Sequence, residues 1–135
     1  MDVIITPVYA AVLALIFVVL SVRVIRMRQK LWIPIGDNGQ DALLRRQRVH
    51  GNFAEYVPIA LILMICAELM LTPDWLVHAM GGCLVTGRLL HAYGVSQPRE
   101  NLAFRTAGMA LTFLVLTAGA GINLVQAWRM ADFAG

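Results

Sequence analysis

Between Arg48 and Tyr56 the chain places Arg48, His50, Asn52, Glu55 and Tyr56 inside an otherwise apolar stretch. On a helix, Arg48, Asn52 and Glu55 fall at i, i+4 and i+7 and share one narrow stripe. Tyr56 sits at its edge, and His50 points nearly the opposite way. Arg presents five donors in a fork matched to a carboxylate, Glu accepts from an ammonium, and Asn both donates and accepts. The set suits a small zwitterion carrying both charges. It equally suits an internal network that neutralises itself between helices, and residue chemistry alone leaves both open. Pro58 follows and leaves the carbonyl of Ala54 without its helical partner.

A second group, Arg88, His91 and Tyr93, puts Arg88 and His91 at i, i+3 on one helical face. A third, Arg105 and Thr106, opens the last apolar run. Metal chemistry has no footing: there is no CxxC, no HExxH and no carboxylate cluster, and no GxGxxG or P-loop either. His50 and His91 lie toward one end of their runs and have a weakly specific spacing for axial haem ligands.

The elements that must position these groups are membrane helices. The chain has 135 residues, 59% of them hydrophobic and 14% charged. Its mean hydropathy is +0.71. A soluble domain averages about 45–50% apolar and about 25% charged, and a chain this short cannot bury such an excess within itself. Four runs are long enough to span a bilayer: residues 3–24, 43–70, 73–93 and 102–128. Asp37-Asn38-Gly39 marks a turn before the second, with Asp41 as its expected N-cap. Thr72 is expected to cap the third, with Pro73 as its first residue. The second and third runs form an antiparallel hairpin. The fold class is therefore all-α, an integral membrane four-helix bundle in a single domain, surrounded by lipid.

Charge gives the orientation. Arg23, Arg26, Arg28, Lys30, Arg45, Arg46 and Arg48 flank the first connection, and Arg88, Arg99 and Arg105 flank the third. Only Arg129 of the eleven basic residues lies on the other side. The positive-inside rule puts both termini outside and the basic loops in the cytoplasm. This asymmetry accounts for the sequence pI of about 9.3, so no nucleic-acid partner is expected. All three polar groups then share a depth near the cytoplasmic face. Glu68 reads as a solvated residue at the outer end of its run, and Cys66 and Cys83 as small buried hydrophobes. Gly81, Gly82, Gly87, Gly108, Gly119 and Gly121 read as points of close helix packing.

The run Arg48-Val49-His50-Gly51-Asn52-Phe53-Ala54-Glu55-Tyr56-Val57-Pro58 resembles the second-helix motif of the MAPEG family, the membrane-associated proteins in eicosanoid and glutathione metabolism. Gly87-Arg88-Leu89-Leu90-His91-Ala92-Tyr93-Gly94 is similar to the end of that family's third helix. The resemblance covers the whole chain and is to bacterial-type members. It implies a homotrimer that binds glutathione between subunits near the cytoplasmic face. Arg48, Asn52, Glu55 and Tyr56 would hold the glutathione backbone, with Arg88, His91 and Tyr93 lining the site from the third span. His50 and Arg26 would reach a ligand held by a neighbouring subunit. Arg105 aligns with the arginine thought to stabilise the thiolate, and Thr106 with a serine given a similar role. One residue after the Gly94 position, where the family often has tyrosine, this chain has Val95, and Tyr93 is the residue expected to substitute for it.

The implied chemistry is thiolate addition to a lipophilic electrophile, or reduction of a lipid hydroperoxide. A free thiol has a pKa of about 8.5, and lowering it by two units takes about 2.7 kcal/mol of differential stabilisation. An arginine in a partly desolvated site supplies energy of that order. Other classes remain: a non-catalytic binding or scaffold protein of the same fold, and, further off, a small transporter or haem protein.

Overall fold

Four apolar runs separated by turn residues become four helices in the computed structural model, which describes residues 3–134. They are α1 (Ile5–Leu31), α2 (Asp41–Leu69), α3 (Asp74–Ser96) and α4 (Leu102–Ala134). Helices α1, α2 and α4 are each long and apolar enough to cross a membrane. Helix α3 falls short in hydropathy because it carries Asp74, His78, Arg88 and His91. At 23 residues it is still about 34 Å long, enough to match a hydrocarbon core of about 30 Å.

The helices run past the apolar segments that mark them in the sequence. Helix α1 continues through the basic residues to Leu31 and ends where Trp32 turns left-handed, with φ 56°. Trp32 is 90% exposed, as suits an interfacial aromatic. Arg28 then pins the connection by donating from Nη1 to the carbonyls of Ile33, Pro34 and Gly36. The Asp37-Asn38-Gly39 turn forms, with Asp37 Oδ1 accepting from the Gly39 N–H at 3.1 Å. Both expected caps shift by one residue. Gln40 stands at the N-cap of α2, and Asp41 lies in its first turn. Pro73 stands at the N-cap of α3, while Thr72 is buried and its hydroxyl accepts from Gln126.

Helices α2 and α3 form the centre. Each touches the other three helices, while α1 and α4 flank them on opposite sides without meeting. The core stripe of α2 is Val49, Phe53, Val57, Ala60 and Met64, at steps of three and four. It packs with Leu13 and Leu20 of α1, Val77, Met80 and Leu84 of α3, and Val115 of α4. The outward faces stay apolar, including Val8, Leu15, Val18 and Val19 of α1 and Phe113, Leu114, Leu124 and Val125 of α4. Such a surface requires lipid or another chain to cover it, and the protein is an integral membrane protein.

Two contacts set how the helices meet. At the end away from the basic loops, the Glu68 carboxylate is not left to solvent. It accepts from the backbone N–H groups of Ile4, Ile5 and Thr6 at 2.6, 2.6 and 2.8 Å. Because α1 has no side-chain cap of its own, this residue of α2 takes that role. Where α3 crosses α4, Gly87 and Gly108 bring the backbones together. A Cβ on Gly108 would lie 2.5 Å from the Gly87 carbonyl oxygen and 2.5 Å from the His91 nitrogen. The Tyr9 ring occupies the space beside Gly81, whereas Gly82 and Gly121 have nothing within 4 Å. The cysteines are free; Cys66 is exposed on the protomer and Cys83 is half-buried.

Gly108→Ala is expected to cost about 1–3 kcal/mol, since both obstructing atoms are backbone. Gly121→Ala is expected to be neutral or slightly stabilising through helix propensity. Thermal unfolding in detergent measures both, and equal midpoints would contradict the close approach.

Candidate functional site

Arg88 is 1% exposed and lies among α2, α3 and α4. Its Nη1 donates to Asn52 Oδ1 at 2.7 Å and its Nη2 to Thr112 Oγ1 at 2.6 Å. Met109 Sδ lies 3.5 Å from Nη2, and the guanidinium carbon sits 5.7 Å from the Tyr56 ring centroid. Its Nε has no partner. No carboxylate pairs with it among the described residues, where the ion pair is Arg105 with Glu100. A buried cation is tolerable only when neutral dipoles replace its water. Thr112 is itself tied back, its hydroxyl donating to the Gly108 carbonyl at 2.8 Å. The cation therefore rests on groups held by the glycine crossing.

Asn52 faces both ways. Its Oδ1 is taken by Arg88, so what remains for the other side is its amide N–H. On that side lies a cavity of about 840 Å³, walled by α2 and by the end of α3, the following loop and the start of α4. Arg48, Asn52, Glu55, His91 and Arg105 all line it. Arg48 and Glu55 are exposed and do not pair with each other. The self-neutralising Arg–Asn–Glu network is thus not the arrangement seen. His91 is buried at the wall and Val95 lies beside it.

Other candidates lie elsewhere. Arg88 and Tyr56 stand behind Asn52 rather than on the wall, and Tyr56 packs edge-on against Phe113. His50 turns toward α1, where Nε2 is 3.1 Å from Ser21 Oγ and the ring stacks on Phe17. Arg26 is exposed on α1, and Thr106 is exposed on α4 one residue past Arg105. Tyr93, two residues and about 200° round α3 from His91, lines a separate groove with Leu15, Val19, Arg23 and Ser96. It packs edge-on against Phe104. The hydroxyl that Val95 lacks is therefore not supplied to this cavity by Tyr93.

Three charged residues of the cavity were not among those singled out: Asp41, Arg45 and Glu100. The first two extend the Arg48–Glu55 stripe at the same period, as positions 41, 45, 48, 52 and 55. Continuing the helical wheel upstream would have found them. Glu100, in the loop, carried no such signal.

The MAPEG family model matches residues 6–125. The chain is also similar to "Inner membrane protein YecN" of two Escherichia coli strains. Each is 35% identical over 126 residues, spanning 93% of this chain and 92% of YecN.

Asn52→Ala is expected to lower stability by roughly 1.5–3 kcal/mol, because it strips a buried guanidinium of an acceptor. Glu55→Ala, at an exposed position, is expected to stay within about 0.5 kcal/mol of the parent. The two thermal midpoints in detergent decide this, and a stable Asn52→Ala variant would remove Arg88 from its supporting role.

Proposed function

The chain belongs to the MAPEG family, and on that premise we propose that it is a glutathione-binding membrane protein, a glutathione S-transferase or peroxidase acting on lipophilic electrophiles. The observation that carries this reading is the double-signed cavity. Arg45, Arg48 and Arg105 share it with Asp41, Glu55 and Glu100, and Asn52 adds an amide. Glutathione brings two carboxylates, an ammonium and a thiol, so each charge-bearing group of the ligand finds an opposite charge on the cavity wall.

In this reading Arg45 and Arg48 take the carboxylates, Glu55 or Asp41 the ammonium, and Asn52 donates to a ligand oxygen. Arg88 and Tyr56 hold Asn52 in place from behind, and His91 closes the wall. Arg105 stabilises the thiolate, with Thr106 adjacent. The thiol loses its proton to solvent, and the sulfur lone pair then attacks the electrophilic carbon to form the new C–S bond, while that carbon's π bond breaks and its electron pair, moved onto the conjugated acceptor atom, takes a proton from solvent. The second substrate enters from the bilayer, past Tyr93 or the apolar faces of α1 and α4.

Arg26 is exposed on α1 and His50 packs between α2 and α1, both away from the cavity, so the ligand contacts that the family resemblance implies for them need a neighbouring subunit. This favours the homotrimer of the family. The basic distribution favours a cytoplasmic site with both termini outside, in an inner membrane if the source is bacterial. A second reading, binding without catalysis, is favoured by the pairing of Arg105 with Glu100, which leaves the cation already engaged.

Thiolate absorbance at 240 nm, followed as pH is raised on the protein–glutathione complex, tests the proposal. Thiolate is expected well below pH 8. Arg105→Ala is expected to return the thiol toward its free pKa of about 8.5 and to slow turnover roughly a hundredfold. Binding with an unshifted thiol would select the non-catalytic reading, and absence of binding at millimolar glutathione would refute both.

A further inference from the structure

The loop between α3 and α4 is held at both ends. The Asn101 N–H donates to the Gly94 carbonyl at 3.1 Å, and the Asn101 carbonyl accepts from the Arg105 N–H at 3.1 Å. Asn101 Oδ1 also accepts from the Phe104 N–H at 3.3 Å. At Gly94 the first turn of α4 lies against α3 so closely that a Cβ would be 2.6 Å from the Arg105 nitrogen. These bonds place Glu100 beside Arg105, whose Nη1 donates to Glu100 Oε1 at 2.5 Å. Both side chains line the cavity and both keep contact with water, at 49% and 27% exposure. The other charged or titratable groups on the cavity are Asp41, Arg45, Arg48 and Glu55 from α2 and His91 from α3. None of them forms an ion pair among the described residues. The cavity therefore holds one engaged cation, and the anion engaging it belongs to the protein.

Resting on the glutathione reading above, we propose that Glu100 is a resident counter-ion of Arg105 that the ligand's thiolate displaces. It is a positioning residue that makes the site discriminate between a thiol and a thioether. On binding, the S–H bond breaks and its proton passes to bulk water. The sulfur anion takes the place of the carboxylate at Arg105, and Glu100, still ionised, turns to solvent. No covalent bond to the protein forms. A thioether product carries no charge on sulfur, so Glu100 returns to Arg105 and the product loses that contact. The pair is exposed enough to be exchanged: pairs of this kind shift an equilibrium only about two- to fivefold. A buried pair would instead lock the site shut.

The test compares the full-length wild type in detergent with Glu100→Gln and Glu100→Asp. It measures thiolate absorbance of bound glutathione against pH, and affinities for glutathione and S-methylglutathione. Glu100→Gln is expected to lower the bound thiol pKa by about 0.3–0.7. It should tighten glutathione roughly two- to fivefold and leave S-methylglutathione nearly unchanged. Glu100→Asp is expected to restore wild-type values. An unchanged or raised thiol pKa in Glu100→Gln would overturn the proposal. Equal tightening of S-methylglutathione would also overturn it, by assigning Glu100 to the ligand's backbone charges. If the wild type binds neither compound, the glutathione reading itself fails and takes this inference with it. Failure confined to the variants leaves that reading standing.

Discussion

A guanidinium buried between membrane helices, with no carboxylate among the described residues to neutralise it, is the constraint around which this bundle is arranged. Desolvating a charge costs several kcal/mol even after relaxation, and Arg88 recovers this through dipoles: an amide oxygen from α2, a hydroxyl and a thioether from α4, and an aromatic face. Each partner comes from a helix other than its own, so the cation fixes the register of three helices at once. The close approach of Gly87 and Gly108 brings Thr112 within reach. A larger residue at either position would separate Arg88 from half of its partners.

From this follows the character of the cavity. Asn52 is oriented by what lies behind it, and the residues above and below it on the same stripe are free to face outward. The stripe runs from acidic Asp41 through basic Arg45 and Arg48 and neutral Asn52 to acidic Glu55 along about 21 Å of helix, and α4 adds Arg105 at the far wall. A rigid polar support beneath an exposed, charge-bearing surface is the arrangement a binding site needs. At the opposite end, Glu68 joins α1 to α2 through three backbone bonds. The bundle is thus fastened at the end opposite the basic loops, while the polar cavity opens at the basic end.

The fold was largely legible because membrane helices announce themselves by length, hydropathy and turn residues. The α2 stripe was legible because its period is local: Arg48, Asn52 and Glu55 share a face whatever surrounds them. What depended on relations between helices was not. Nothing in the spacing of Asn52 and Arg88 says that they meet, nor that Glu68 caps a helix more than sixty residues earlier. Thr112 and Met109 look like ordinary lipid-facing residues until the glycine crossing is known. Asp41 and Arg45 were within reach of the same periodicity, but capping and topology already accounted for them. Tyr93 illustrates the converse. As a candidate it rested on the third-helix motif and on replacing the tyrosine absent at Val95, and about 200° of helix separates it from His91.

We propose the double-signed cavity beside Asn52 as a glutathione site. Calorimetric titration of glutathione into the detergent-purified protein and its Arg48→Ala variant tests it most directly. Saturable binding by the wild type is expected, with a weakening of at least about tenfold in the variant, the loss that follows when a charge-assisted bond is removed. Wild-type protein that takes up no glutathione at millimolar concentration, or a variant that binds as tightly as the parent, would contradict it.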